Sequence, residues 1–253
     1  MNKIKTYIIN LKDSSDRRAY METVMSPFGF LDVEFVEAVD GRKMSPEEIG
    51  TCFNQSKAHR RYGRNLRGGE IGCTLSHKLC AQKLLNSNLP YALFLEDDLI
   101  WQAADLEGLF QEIGHLLDSK RPIVVLLSGD YWYLHLSRFY REYAIAHVTD
   151  AVCTQSYFIN RAGAERLVKI GNWHLADDWR ALRRFGMHIY AVHPHVADQN
   201  RADIDTVIAP VYGGQNRKEM TLPNLLASYW KSAANKFLVK LGHFEEKHFT
   251  WKK

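Results

Sequence analysis

Tyr91–Ile100 reads Y-A-L-F-L-E-D-D-L-I: a short apolar run that ends abruptly in three carboxylates. A run of that length suits a strand buried on both faces of a parallel sheet, which reads as a near-continuous apolar segment. Its end then lies at the carboxyl edge of the sheet, where open α/β folds bind ligands. Three adjacent acids repel one another unless a cation sits among them. Alternation along an extended chain predicts that Glu96 and Asp98 face one way and Asp97 the other. Such a group suits a divalent metal whose shell a substrate's phosphates complete, and it suits equally a plain acidic loop after a strand.

The flanking sequence alternates in the same manner. Thr6–Leu11 is a predicted strand, followed by a helix capped near Ser14-Ser15-Asp16 and running to about Met25. Val33–Val39 is a second strand ending in the turn pair Asp40-Gly41, and Ser45-Pro46 starts another helix. Phe53–Gly69 is polar and basic and predicts a long loop, while Glu70–Ser87 carries a helical apolar stripe. Leu106–Leu117 is a predicted helix and Ile123–Leu127 a strand. Farther on, Tyr143–Val148, Thr154–Ile159 and Met187–His193 are predicted strands, and Arg161–Ile170, Asp177–Phe185 and Leu222–Leu241 predicted helices. The alternation argues for an α/β fold with a mostly parallel central sheet flanked by helices. Residues 1–221 make the expected domain, and residues 222–253 a basic, aromatic helical tail.

Composition narrows the function. The 253 residues are 46% hydrophobic and 25% charged, ordinary values for a soluble enzyme with a substantial core. A net charge of +4 is too mild for a dedicated nucleic-acid binder. No stretch reaches the apolar length of a membrane span, and Met1–Asn10 lacks the features of a signal peptide, which predicts the cytoplasm. Cys52, Cys73, Cys80 and Cys153 show no C-x-x-C spacing and are expected as free thiols. Phosphate-loop, dinucleotide, zincin and nucleophile-elbow motifs are all missing.

Four further clusters have residue types suited to chemistry. Asn10 and Arg17 flank a strand–turn–helix junction that can hold a nucleotide, or they belong to a capped helix with solvated arginines. Asp40, with Gly41, can accept ribose hydroxyls or simply make a turn. Gly68–His77 places glycines, Ser76 and His77 at a helix start, which suits an anion or an ordinary surface histidine. Trp173–Trp179 sets Asp177 and Asp178 between indoles, as a sugar-stacking site with a general base or as a packed N-capped helix. His193 and His195 share a face if extended, and His195 is a possible metal ligand.

Taken together, Y-I-I-N-L-K-D-S-S-D-R-R, F-V-E-A-V-D-G, G-G-E-I-G-C-T-L-S-H, A-L-F-L-E-D-D, S-Y-F-I-N-R-A-G-A-E-R-L and A-D-D-W resemble glycosyltransferase family 25, in the family's order, over about Thr6–Trp179. The resemblance implies a GT-A-type fold, a nucleotide-sugar donor, usually UDP-galactose, inversion at the anomeric carbon, and Mn²⁺ or Mg²⁺. It implies a metal at Asp98 with Glu96 and, from the less similar H-P-H-V-A-D-Q-N, His195. It implies a nucleotide site at Asn10, Arg17, Asp40, Gly41, Ser76, His77, Glu96 and Asp97, and Asp177 or Asp178 as base. Arg60, Arg61, Arg64 and Arg67 would help the leaving group from a closing loop or grip an anionic acceptor. The implied acceptor is a lipooligosaccharide or related surface glycan, and the implied product a β-galactoside. The aromatic, lysine-rich stretch Ser228–Lys253 suits an anionic bilayer, which predicts a peripheral position on the inner face of a bacterial inner membrane. The same acids also fit a metal-dependent nucleotidyltransferase or phosphohydrolase, and the tryptophans a non-catalytic carbohydrate-binding protein.

Overall fold

The structure, a computed structural model, describes residues 3–103, 105–200 and 216–246. In chain order the elements are β1 (Ile4–Asn10), α1 (Ser15–Met25), β2 (Leu31–Glu37), α2 (Pro46–Cys52), α3 (Gln55–Tyr62), α4 (Gly68–Asn86), β3 (Tyr91–Glu96), β4 (Leu99–Trp101), α5 (Leu106–Leu117) and β5 (Ile123–Leu126). They continue with β6 (Tyr131–Tyr140), β7 (Tyr143–Ala151), β8 (Ser156–Asn160), α6 (Arg161–Lys169), α7 (Trp179–Arg184), β9 (His188–His193), β10 (Ala197–Gln199), α8 (Leu222–Lys240) and β11 (Phe244–Glu245).

Nine strands form one sheet in the order β11-β6-β7-β9-β5-β8-β3-β1-β2, and β4 pairs with β10 beside it. Following the pairings, β1, β2, β3, β5, β6 and β9 point one way and β7, β8 and β11 the other. The sheet is therefore mostly parallel in direction, as an α/β fold of GT-A type requires. Its buried strands divide their residues between two cores. Ala92 and Phe94 of β3 pack with Cys80, Ala81 and Leu84 of α4 and Leu167 of α6. Leu93 and Leu95 pack with Met21 and Met25 of α1 and Leu109, Phe110 and Ile113 of α5 on the other face. Period-two alternation on a strand covered on both sides explains why that run is apolar throughout.

One expectation changes. Residues 53–69 do not form one long loop: Asn54 caps α3 through Lys57 N (2.8 Å), and Ala58 and Tyr62 bury one face of that helix. The polar majority of α3 faces outward, so its apolar stripe is too short to register as helical periodicity. The aromatic segment after Gly129 is β6, which forms a hairpin with β7 whose register shifts repeatedly. Tyr131 and Tyr133 are buried in the core there.

The predicted tail helix is α8. It rests on the domain through Asp150, which is buried and accepts from Asn235 Nδ2 (2.6 Å) and pairs with Lys231 Nζ (3.1 Å). After it, β11 adds to the sheet edge, with Phe244 stacked on Trp132. Phe249 and Trp251 lie outside the described residues. No helix among the described residues is long and apolar enough to cross a membrane.

Candidate functional site

Parallel pairing sets Ile9 of β1 opposite Glu96 of β3, so Asn10 and Asp97 emerge side by side at the carboxyl edge of the sheet. Asn10 Nδ2 donates to Asp97 Oδ2 at 2.7 Å. From the first turn of α1, Arg17 reaches back across both aspartates: Nη1 lies 2.8 Å from Asp97 Oδ1 and Nη2 2.6 Å from Asp98 Oδ2. The short β1–α1 connection makes this reach possible.

The strand ends at Glu96, and with it the side-chain alternation. Asp97 and Asp98 occupy a turn and both face Arg17. Glu96 points toward α4 and β8, accepting from the Thr154 hydroxyl at 2.5 Å and lying 3.5 Å from His77 Nε2. Glu96 and Asp98 thus do not share the partners that strand alternation predicts. On the β10 side Gln199 Nε2 donates to Asp98 Oδ2 at 2.6 Å, and Asn200 N donates to the Asp98 carbonyl, also at 2.6 Å.

One guanidinium does not balance three carboxylates. Burial pushes the Asp98 carboxyl up to about 6, and the Glu96 charge adds to it. Burial also raises Asp97, with Arg17 and Asn10 working against the shift. Asp98 Oδ1 is buried with no hydrogen-bond partner among the described residues. A buried, unmatched carboxylate oxygen among hard oxygen donors is chemistry that fits Mn²⁺ or Mg²⁺.

Asp177 and Asp178 stand at the start of α7 with opposite environments. Asp178 accepts from Arg61 Nε (2.7 Å), from the Tyr62 hydroxyl (2.8 Å) and, as N-cap, from Ala181 N (3.1 Å). Burial pushes its carboxyl up, but Arg61 and Tyr62 more than reverse that and hold it below the usual range. Asp177 accepts from Cys153 N at 3.4 Å, and its carboxyl is raised by burial and by the charges of Asp178 and Glu96. A satisfied, low-pKa carboxylate is structural in character, whereas a raised one near other acids has the character of a proton acceptor.

The sequence model of glycosyltransferase family 25 (LPS biosynthesis protein) matches residues 3–179.

The chain belongs to glycosyltransferase family 25.

A family-25 member of Aedes aegypti is 41% identical to it over 121 residues, covering 46% of this chain and 19% of that protein. A glycosyltransferase of Acanthamoeba polyphaga mimivirus is 34% identical over 135 residues, covering 51% of this chain and 40% of that one. Procollagen galactosyltransferase 1-B of Xenopus laevis is 33% identical over 98 residues, 38% of this chain and 16% of the frog protein. The matches thus span less than half the length of each relative. Among solved structures, the inositol-1-phosphate CTP transferase of T. maritima superposes with a TM-score of 0.40 at 10% identity, covering 81% of this chain and 93% of that one.

The remaining expected residues of this family-25 chain divide between the site and the scaffold. Ser76 is buried on α4, accepting from Val39 N (2.9 Å) and donating to the Gly72 carbonyl (2.7 Å). It fastens the loop after β2 to that helix. Gly41 belongs to the same junction: a Cβ there would stand 2.1 Å from the Gly68 carbonyl oxygen. Asp40 holds Arg42 through two contacts of 2.7 Å. His77 is buried, not on the surface, and stacks on Tyr157. Arg61 and Arg64 are committed to Asp178 and Glu70, with Arg64 bidentate at 2.8 and 2.6 Å, while Arg60 and Arg67 are exposed.

His195 meets Glu245 of the sheet-edge strand β11. It is buried, and its Nδ1 lies 2.9 Å from Glu245 Oε1. Gln199, four residues on, is the side chain from that segment that meets Asp98. It extends a polar chain through Gln155, which Gln199 accepts from at 3.3 Å, to Ser128 and Ser156. Sequence reasoning missed Gln199 and Thr154; the glutamine inside H-P-H-V-A-D-Q-N was the available signal.

Proposed function

We propose that this chain transfers a hexose, galactose from UDP-galactose, to a hydroxyl of a glycan acceptor with inversion, using a hard divalent cation at Asp97 and Asp98, with Glu96 on the donor side of that pair. The carrying observation is the buried pair Asp97 and Asp98 just after β3, beside the end of β1, under-neutralised by Arg17 and with one Asp98 oxygen unmatched. Mn²⁺ bound there would supply charge to the leaving diphosphate. Arg17, no longer needed between the aspartates, would turn its guanidinium to the same phosphates.

Asp177 takes the base role and Asp178 the scaffold role, because of the two only Asp177 has a carboxyl raised by burial and a light set of partners. As the acceptor oxygen bonds to C1, the C1–phosphate oxygen bond breaks. UDP leaves with that electron pair, and the acceptor proton passes to Asp177. Asn10 and the Asp40–Gly41 loop border the nucleotide side. The acceptor is a lipooligosaccharide or related surface glycan.

Contact with an anionic bilayer rests on α8. Leu222, Leu226, Tyr229, Trp230 and Phe237 recur at helical spacing and are exposed, Trp230 by 73%, while Ser228 and Leu238 face the domain. Lys236 and Lys240 border the stripe, and apolar residues edged by lysines match an anionic lipid surface. The proposed location is therefore the cytoplasmic face of a membrane.

The direct test is UDP release from UDP-galactose, UDP-glucose and UDP-N-acetylglucosamine, with Mn²⁺ or EDTA and a glycan acceptor. Acceptor-dependent, Mn²⁺-dependent release from UDP-galactose, lost in Asp177→Asn, is expected. Equal release without acceptor would favour a phosphohydrolase and overturn the transferase reading.

A further inference from the structure

Cys73 and His77 lie at i and i+4 on α4, so their side chains leave one face of the helix. Glu96 meets that face from the end of β3. One ligand atom from each of the three residues lies within 4.8 Å of the other two. His77 Nε2 and Glu96 Oε1 are 3.5 Å apart, already near the spacing of two ligands on a tetrahedral ion.

The imidazole is the decisive part. His77 is 3% exposed, its ring is stacked on Tyr157, and Nδ1 lies 2.9 Å from the Tyr157 hydroxyl. With Nδ1–H given to that hydroxyl, Nε2 presents its lone pair toward Glu96. Nε2 is buried and has no hydrogen-bond partner among the described residues, a costly state for a polar atom. The flanking contacts are those that orient metal ligands: Tyr157 on the far imidazole nitrogen, and the Thr154 hydroxyl on Glu96. Cys73 and Glu96 are each only partly buried, which leaves an entry path.

We propose that Cys73, His77 and Glu96 form a binding site for a borderline-soft divalent cation of the Zn²⁺ type, distinct from the hard-oxygen site at Asp97 and Asp98. One sulfur, one nitrogen and one oxygen select zinc or cobalt over manganese and magnesium. Tetrahedral bonds of about 2.0–2.3 Å set ligand atoms about 3.5 Å apart, so any longer separation among the three closes on binding. Binding replaces the Cys73 S–H bond by an S–metal bond and releases one proton to solvent. Three protein ligands leave a fourth position for water. Because Glu96 borders both sites, zinc held here withdraws it from the donor side and opposes Mn²⁺-supported turnover.

The test is titration of the metal-free full chain with Co²⁺, read as the thiolate-to-cobalt charge-transfer band and the intense visible bands of a tetrahedral ion. Equimolar Co²⁺ should produce both, Zn²⁺ should remove them, and excess Mg²⁺ should not. Cys73→Ser should lose the charge-transfer band and Cys52→Ser keep it. His77→Gln should weaken Co²⁺ binding roughly tenfold or more. Absence of the band in the wild type, or its survival in Cys73→Ser, overturns the proposal. The inference shares Glu96 with the transferase reading, but the band needs no UDP-sugar, so either can fail while the other stands.

Discussion

Replacing Asp178 separates its structural part from the catalytic part assigned to Asp177. Asp178→Ala removes the α7 cap to Ala181, worth about 1 kcal/mol. It also leaves the Arg61 guanidinium and the Tyr62 hydroxyl without their acceptor. Stranding one partner of a fully buried ion pair costs about 3–5 kcal/mol. The Arg61 side chain is 20% exposed, so solvent reduces that part to about 2 kcal/mol. The expected loss is about 3 kcal/mol, or a fall in Tm of roughly 6–12 °C for a chain of this size. The assay is urea unfolding, supported by thermal unfolding, at several pH values. Asp178 has a folded pKa below its unfolded value, so its stabilisation is present above about pH 4 and lost as pH falls through the folded pKa. The gap between wild type and Asp178→Ala should hold from pH 8 to 5 and close only in stronger acid. Asp178→Asn, which keeps a capping side chain, should lose less. Asp177→Asn should unfold within about 0.5 kcal/mol of wild type while its kcat falls by roughly 10²–10⁴. Wild-type stability in Asp178→Ala, or an equal stability loss in Asp177→Asn, would refute the division.

His174 is buried with Nδ1 on the Leu175 carbonyl, and burial lowers its pKa to about 4. Its folded pKa is depressed, so stability is full above about pH 6.5 and falls by about 3 kcal/mol as pH drops toward 4; urea midpoints should show this, and His174→Gln should flatten the slope. Gly41→Ala drives a methyl to 2.1 Å from the Gly68 carbonyl oxygen. About 2 kcal/mol of stability should be lost as the loop after β2 lifts from α4, and an unchanged urea midpoint would contradict the close approach. Trp230→Glu with Phe237→Glu should abolish co-sedimentation with phosphatidylglycerol vesicles and leave Tm unchanged; vesicle binding at wild-type strength would remove α8 as the membrane face.

Legibility in the sequence followed the strength of the local signal. Leu106–Leu117 shows a full apolar stripe and is helical over those same residues. Residues 55–62 bury only Ala58 and Tyr62, so charge concealed a helix there. The acidic run at Glu96 was legible as a strand end, but not where the strand stops. That boundary decides which carboxylates share partners, and it depends on the turn leading into β4 and its pairing with β10. Asp177 and Asp178 were indistinguishable because Arg61 and Tyr62, which set Asp178 apart, lie more than a hundred residues earlier. The same reason hid Gln199: its contact with Asp98 spans 101 positions and exists only once β10 is paired. Strand periodicity reports burial well, whereas a polar contact across the chain leaves no trace in local pattern.

The most direct test of the central claim is calorimetric titration of UDP-galactose into wild type and Asp98→Asn, each with Mn²⁺ and with EDTA. The account predicts binding in the wild type with Mn²⁺ alone, and loss both with EDTA and in Asp98→Asn, whose fold is intact. Binding of equal strength without metal, or in Asp98→Asn, would contradict it.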